Sequence, residues 1–137
     1  MLESELVSED APPPGVAEIF DDIRATNGRQ RIDHFWRALA HDRQMLETTW
    51  SRMKGLMMEP SADGLDPMAK QLIYLAAAIA NGCIYCVHSE TASARRMGMT
   101  DAQYDDLVAV VALASQTSAL ASELDVPIDP EYRDAAG

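Results

Sequence analysis

Two cysteines separated by two residues are the part of this sequence with the clearest chemistry. Cys83 and Cys86 lie three positions apart, so on a helix their sulfurs share a face and can close a disulfide. They follow Asn81-Gly82, a pair typical of a helix end, which predicts that they lie in the first turn of a new helix. Free backbone N–H groups and the positive end of the helix dipole favour thiolate over thiol there. The thiolate attacks peroxides and disulfides, so the motif predicts redox chemistry.

Two further side chains of this segment are candidates for the same site. Glu90 follows Cys86 by four residues and is the natural proton acceptor on the sulfur face. His88 is rotated off that face, and we expect it at the rim of the site or against a neighbouring subunit. Simpler interpretations stay open: two inert core cysteines, a solvated surface acid at Glu90, and a surface histidine at His88.

A metal site has weaker support in the sequence. Structural zinc needs about four protein ligands, and only the two cysteines, His88 and Glu90 gather in this segment. His34 and His41 would have to join them. The sequence therefore predicts neither a metal nor a cofactor.

The elements that must position these residues follow the helical period throughout. Strand-like alternation does not persist anywhere, which predicts an all-α bundle of about six to seven helices. Helix starts are expected at capping residues and helix ends at glycines. The expected helices begin near Val16, after Asp33, after Asp42, at Asp66-Pro67, at about Cys83, and at Thr100 or Asp101.

The 137 residues have room for one domain. Residues 1–15 are acidic and proline-rich and are expected to form a mobile or partner-draped tail, residues 16–126 the helical domain, and residues 127–137 an extended C-terminal tail. Residues 72–80 are apolar on nearly every helical face. A helix that is apolar all round must be covered all round, which predicts a homo-oligomer.

Charge excludes some partners. The formal net charge is −11, from 22 acidic against 11 basic residues, so neither nucleic acid nor an anionic membrane surface is an expected partner. The N-terminus carries acids where a signal peptide carries Lys or Arg, and no apolar run is long enough to span a bilayer. We therefore expect a cytoplasmic protein. In the cytoplasm a CxxC pair is more often functional than a structural disulfide.

Residues 16–128 resemble the carboxymuconolactone decarboxylase superfamily, specifically its alkylhydroperoxidase D-like branch. The resemblance is carried by residues 65–73, 81–91 (Asn-Gly-Cys-Ile-Tyr-Cys-Val-His-Ser-Glu-Thr) and 98–100, while residues 35–42 are similar to one bacterial subgroup. It implies an all-helical fold, trimers or hexamers, and reduction of small organic hydroperoxides through a CxxC disulfide cycle. A dithiol or a protein thiol would be the reductant.

The resemblance also implies roles for single residues. Cys86 would be the residue that reacts with the peroxide and passes to a sulfenic acid, and Cys83 would resolve it to a disulfide and meet the reductant. Glu90 would handle protons, with Gln71 and His88 in supporting roles.

Two positions depart from the family pattern. The peroxidase branch usually carries Glu where this chain has Gln71, and His where it has Glu90; those two residues form the family's proton relay. The relay is either lost or rewired, with Glu90 as the direct base and Gln71 orienting it. The alternatives are a catalytically degenerate helical oligomer, a redox sensor, or a decarboxylase acting on a small lactone acid, although true decarboxylases generally lack the CxxC.

Overall fold

A computed structural model describes residues 1–135, and over that range the regular elements are helices alone. The prediction of an all-α fold with six to seven helices is confirmed. The six α-helices are α1 (Val16–Asn27), α2 (His34–Leu39), α3 (Arg43–Met53), α4 (Pro67–Ala80), α5 (Ile84–Arg96) and α6 (Asp101–Glu123). Short 3-10 turns cover Glu3–Glu5 and Pro130–Tyr132, and a π-helical turn, Lys54–Met58, extends α3.

Capping side chains begin two of the helices as the sequence predicts. The Asp42 carboxylate accepts a hydrogen bond from the Met45 backbone N–H at 3.0 Å and starts α3. At α6 the Thr100 hydroxyl accepts from the Gln103 N–H at 3.1 Å, while the Gln103 side chain accepts from the Thr100 N–H at 2.9 Å. This reciprocal pair satisfies two N–H groups that the helix itself leaves without partners.

Asp33 precedes α2 as predicted, but its carboxylate makes no capping hydrogen bond. It accepts instead from the Arg29 guanidinium at 2.9 Å. The ion pair with Arg29 competes for the carboxylate oxygens that a cap would use. The predicted start of α2 is therefore confirmed, and the predicted cap by Asp33 is wrong.

The described chain forms two compact units, Met1–Pro67 and Met68–Gly137, the second described as far as residue 135. In the first unit, α1, α2 and α3 pack around one apolar cluster, in which the Trp36 and Trp50 rings meet edge to face with their centroids 5.2 Å apart. The cluster comprises Val16, Phe20, Ile23, Ile32, Trp36, Ala40, Leu46 and Trp50. The predicted limits of the helical domain, residues 16 and 126, stay predictions.

The segment predicted as an acidic tail belongs to the first unit and is hydrogen-bonded to the rest of it over part of its length. Val7 and Arg37 exchange two bonds, Val7 N–H to the Arg37 carbonyl at 3.3 Å and Arg37 Nε to the Val7 carbonyl at 2.8 Å. The Glu9 carboxylate accepts from the Ile32 N–H at 2.7 Å. Each of these contacts uses a main-chain group, which composition does not reveal.

In the second unit, the buried cluster joins α4, α5 and the turn before α6. Its fully buried members are Leu75, Ala94 and Met99, with Leu72, Ile79, Tyr104 and Leu107 packed at its edge. Tyr104 and Leu107 of α6 are only partly buried, and no residue of α6 is fully buried. No helix within the described residues is both long enough and apolar enough to cross a membrane.

Candidate redox site

The two cysteines lie at the N-terminal end of α5 and form a disulfide. Cys83 is the N-cap of that helix and Cys86 is its third residue; their Cα atoms are 5.3 Å apart. The prediction that the two sulfurs lie side by side at a helix start is confirmed.

A tight turn sets the position of Cys83. Gly82 takes a left-handed conformation, with φ of 69°, which an L side chain adopts only with strain. The Cys83 N–H donates back to the Ala78 carbonyl of α4 at 3.1 Å. The chain therefore leaves α4 and enters α5 within three residues, with the Cys83 side chain turned toward the new helix.

The Cys83 sulfur accepts a hydrogen bond from the Cys86 backbone N–H at an N···S distance of 3.2 Å. It occupies the place that a Ser or Asp oxygen fills at an ordinary N-cap. The N–H groups of the first turn and the positive end of the helix dipole thus act on Cys83.

Glu90 and Gln71 contact each other across α5 and α4. Gln71 is buried, with 6% of its surface exposed. Its Nε2 donates to the Glu90 carboxylate Oε2 at 2.8 Å and to the Glu90 carbonyl at 3.1 Å. Both donors of one side-chain amide therefore serve one residue, which fixes the orientation of the carboxylate.

A serine completes the surroundings of the carboxylate. The single proton of the Ser89 hydroxyl can be donated to the Cys86 carbonyl at 3.2 Å or to Glu90 Oε1 at 3.4 Å. Glu90 follows Cys86 by one helical turn on α5, a spacing at which Cβ atoms lie about 5–6 Å apart.

Tyr74 belongs to the same group of side chains. Burial, and secondly the negative charge of Glu90, raise the pKa of Tyr74 above its ordinary value of 10.0. It lies one turn after Gln71 on α4 and stays a neutral hydroxyl at physiological pH. Neither Tyr74 nor Ser89 is among the predicted site residues. The sequence feature that could have indicated them is helical spacing, since Tyr74 follows Gln71 by three residues and Ser89 follows Cys86 by three.

His88 is not brought to the carboxylate. It is exposed on α5, as its rotation off the sulfur face predicts. His34 and His41 lie in the first unit, where His34 Nε2 is 3.5 Å from the Glu3 carboxylate and His41 Nε2 is 2.6 Å from the Glu5 carbonyl. Within residues 1–135 no group of three His, Cys, Asp or Glu side chains is arranged to hold a metal ion.

An all-helical chain with a CxxC pair at a helix start and a carboxylate one turn later defines a narrow class of protein. The sequence model of the carboxymuconolactone decarboxylase family matches residues 45–126. The crystal structure of the alkylhydroperoxidase AhpD core from Rhodospirillum rubrum superimposes with a TM-score of 0.89 at 41% identity, covering 96% of this chain and 97% of that one. No curated protein matches significantly. The chain belongs to the carboxymuconolactone decarboxylase family, in its alkylhydroperoxidase D-like branch.

Proposed function

We propose that this protein is a thiol-dependent, peroxidase-like oxidoreductase that reduces small organic hydroperoxides. The observation that carries the proposal is the disulfide between Cys83 and Cys86 at the start of α5, one turn before Glu90. The likeness to an alkylhydroperoxidase core supports it.

The proposed cycle begins at Cys86. Its sulfur attacks the terminal oxygen of the hydroperoxide, the O–O bond breaks, and the alkoxide leaves as an alcohol after taking a proton. The Cys83 sulfur then attacks the resulting sulfenic acid, the S–S bond forms, and hydroxide leaves as water. A dithiol or a protein thiol returns the pair to the reduced state.

Glu90 is the proposed proton carrier, and Gln71 the residue that positions it. The carboxylate takes the Cys86 proton and returns it to the leaving oxygen. His88 would have at most a supporting role at the rim. An ionised carboxylate beside Cys86 also disfavours a second negative charge, so we propose a slower peroxide reaction than an imidazole at this position would support.

We also propose a cytoplasmic homo-oligomer, a trimer or hexamer by resemblance. Apolar side chains remain exposed on both long helices of the second unit: Ile73 of α4 is 56% exposed, and Val110, Leu113 and Leu120 of α6 are 64%, 61% and 52% exposed. A second copy would remove this apolar surface from water.

Thiol counting during exposure to tert-butyl hydroperoxide tests the cycle. The reduced protein should lose both thiols of each chain together, as measured by maleimide labelling and mass spectrometry, and dithiothreitol should restore them. Cys83→Ser should stop at a Cys86 sulfenic acid that dimedone traps. Cys86→Ser, the matched variant, should oxidise more slowly because Glu90, the proton donor to the leaving oxygen, lies beside Cys86.

Two outcomes would contradict the proposal. A pair that keeps its thiols under excess hydroperoxide would favour a catalytically degenerate oligomer. Turnover of a small lactone acid that survives both serine substitutions would favour a decarboxylase.

A further inference from the structure

The two thiols of the reduced site have different surroundings, and Cys83 has the one that favours a negative charge. The Cys86 N–H donates to the Cys83 sulfur at 3.2 Å in the disulfide form, and Cys83 is the N-cap of α5. A hydrogen bond from a backbone N–H and the positive end of a helix dipole both stabilise thiolate over thiol.

Cys86 shares the first turn of α5 but lies one helical turn before Glu90, and the carboxylate opposes a negative charge on it. The Glu90 carboxylate accepts a hydrogen bond from the side chain of buried Gln71 at 2.8 Å, which orients it. A second anion within one helical turn is disfavoured by like-charge repulsion.

We infer that the reduced protein carries its thiolate on Cys83, and that Cys86 stays protonated until Glu90 takes its proton. The inference rests on the proposed cysteine cycle but does not depend on a hydroperoxide being the oxidant. Peroxide cleavage needs a proton for the leaving alkoxide, which Glu90 supplies at Cys86. Attack on a disulfide needs only a thiolate, because a thiolate is also the leaving group.

For attack on a disulfide, this assignment makes Cys83 the first nucleophile. The Cys83 thiolate attacks one sulfur of the substrate disulfide, that S–S bond breaks, and the other sulfur leaves as a thiolate. Cys86 then gives its proton to Glu90 and attacks Cys83, which forms the Cys83–Cys86 disulfide and expels the second thiolate. One disulfide is reduced to two thiols, and one dithiol is oxidised.

Alkylation by iodoacetamide measures thiolate reactivity without needing a proton donor. Cys86→Ser leaves Cys83 alone, and Cys83→Ser leaves Cys86 alone while keeping a side chain able to cap α5. We expect Cys83 to react about threefold faster or more at pH 7, with the midpoint of its pH–rate curve lower by about one unit. Such a shift raises the thiolate fraction about eightfold and lowers intrinsic nucleophilicity about threefold.

Glu90→Gln tests the cause of the difference. Added to Cys83→Ser, it should speed alkylation of Cys86 at pH 7 because it removes the like charge; added to Cys86→Ser, it should change the rate at Cys83 by less than about twofold. Circular dichroism checks the fold of each variant. Should one not fold, substoichiometric alkylation of the reduced wild-type protein, read by tandem mass spectrometry, decides which sulfur reacts first.

Equal rates, or faster alkylation of Cys86, would overturn the inference. These results are distinguishable from failure of the proposed function. If the protein does not react with hydroperoxide but is alkylated first at Cys83, the thiolate assignment stands and the peroxidase proposal fails. If it turns over hydroperoxide but is alkylated first at Cys86, the peroxidase proposal stands and the thiolate assignment fails.

Discussion

At the scale of single residues, the site carries its carboxylate on α5 and an amide on α4. Gln71 and Glu90 bond each other at 2.8 Å, at the two positions where the peroxidase branch usually carries Glu and His. An amide orients a neighbouring group but does not carry a proton at neutral pH. Glu90 is therefore the only one of this pair able to relay protons.

Restoring the usual pair should raise peroxide turnover. In Gln71→Glu with Glu90→His, an imidazole would face Cys86 and a carboxylate would hold it from α4. General acid–base catalysis contributes about 10²–10⁴-fold, so we expect a gain of about tenfold or more in kcat/KM for tert-butyl hydroperoxide. The two single variants are the controls, since neither restores both halves of the relay. No gain from the double variant would dispose of the relay argument.

Sequence spacing was sufficient to place the two sulfurs together and Glu90 on their face, because both follow from one helical period. The contact of Gln71 with Glu90 was reached as a hypothesis from the family pattern. Ser89 and Tyr74 could not be found in the same way. Their part depends on a side-chain rotamer and on how deeply α4 is buried, which spacing does not encode.

At the scale of elements, a group of partly exposed polar contacts around Asp22 joins α1 to α3 and to the π turn that extends it. Its carboxylate accepts from the Trp50 indole N–H at 2.7 Å and from the Lys54 ammonium at 2.9 and 3.0 Å. The hydrogen bond from Trp50 is the largest cause that lowers the pKa of Asp22 below its ordinary value of 3.8, and the hydrogen bond from Lys54 is the second. The ionised form is thus the one that the fold stabilises.

Asp22→Asn should destabilise the protein at neutral pH. A neutral amide loses the charge-assisted bonds, which we expect to cost about 1 kcal/mol for a partly exposed group. Because the pKa of the folded-state carboxyl is lowered, its contribution is present above about pH 4 and is lost as pH falls through the folded-state value. Urea unfolding of wild type and variant should therefore differ at pH 7 and converge in acid.

Asp21→Asn is the matched control, since Asp21 is 75% exposed and only pairs with Arg24 at 3.2 Å. It should change the free energy of unfolding by less than about 0.5 kcal/mol. An equal effect of both variants, or a difference at Asp22 that persists in acid, would contradict the role assigned to the Asp22 cluster.

Helix existence was predictable from apolar periodicity, and most starts from capping residues such as Asp42 and Thr100. The π turn at Lys54–Met58 was not, because the apolar spacing from Leu46 to Met57 also fits an uninterrupted α-helix. A π turn adds one residue to a hydrogen-bonded ring, and this single addition changes the spacing of apolar residues too little to be seen over so few residues.

At the scale of the whole molecule, α6 is unusual for a helix facing water. Residues 107–122 contain no charged side chain in a chain whose net charge is −11. Val110, Leu113, Leu120 and Leu124 are more than half exposed and follow a spacing close to the heptad period that packs helices together. Self-association, predicted from α4 alone, gains a second candidate surface here.

A charge on this surface should break the oligomer. Leu113→Lys would bury an ammonium in an apolar contact, which is costly without a partner, and we expect the assembly to shift toward monomer in light scattering after size exclusion. Ser115→Lys, about 200° round the helix from Leu113, is the matched control and should leave the assembly intact. A wild-type monomer, or an oligomer indifferent to Leu113→Lys, would contradict this surface as the interface.

The hydrogen bond that begins α5 has a consequence for how the protein could be observed. Its acceptor is one of the two atoms that gain or lose electrons, so each redox event changes the sulfur that caps the helix, from a disulfide sulfur to a free one. The backbone amide of Cys86 thus acts as a built-in reporter. Its proton resonance would register the oxidation state of the pair without any label attached to sulfur.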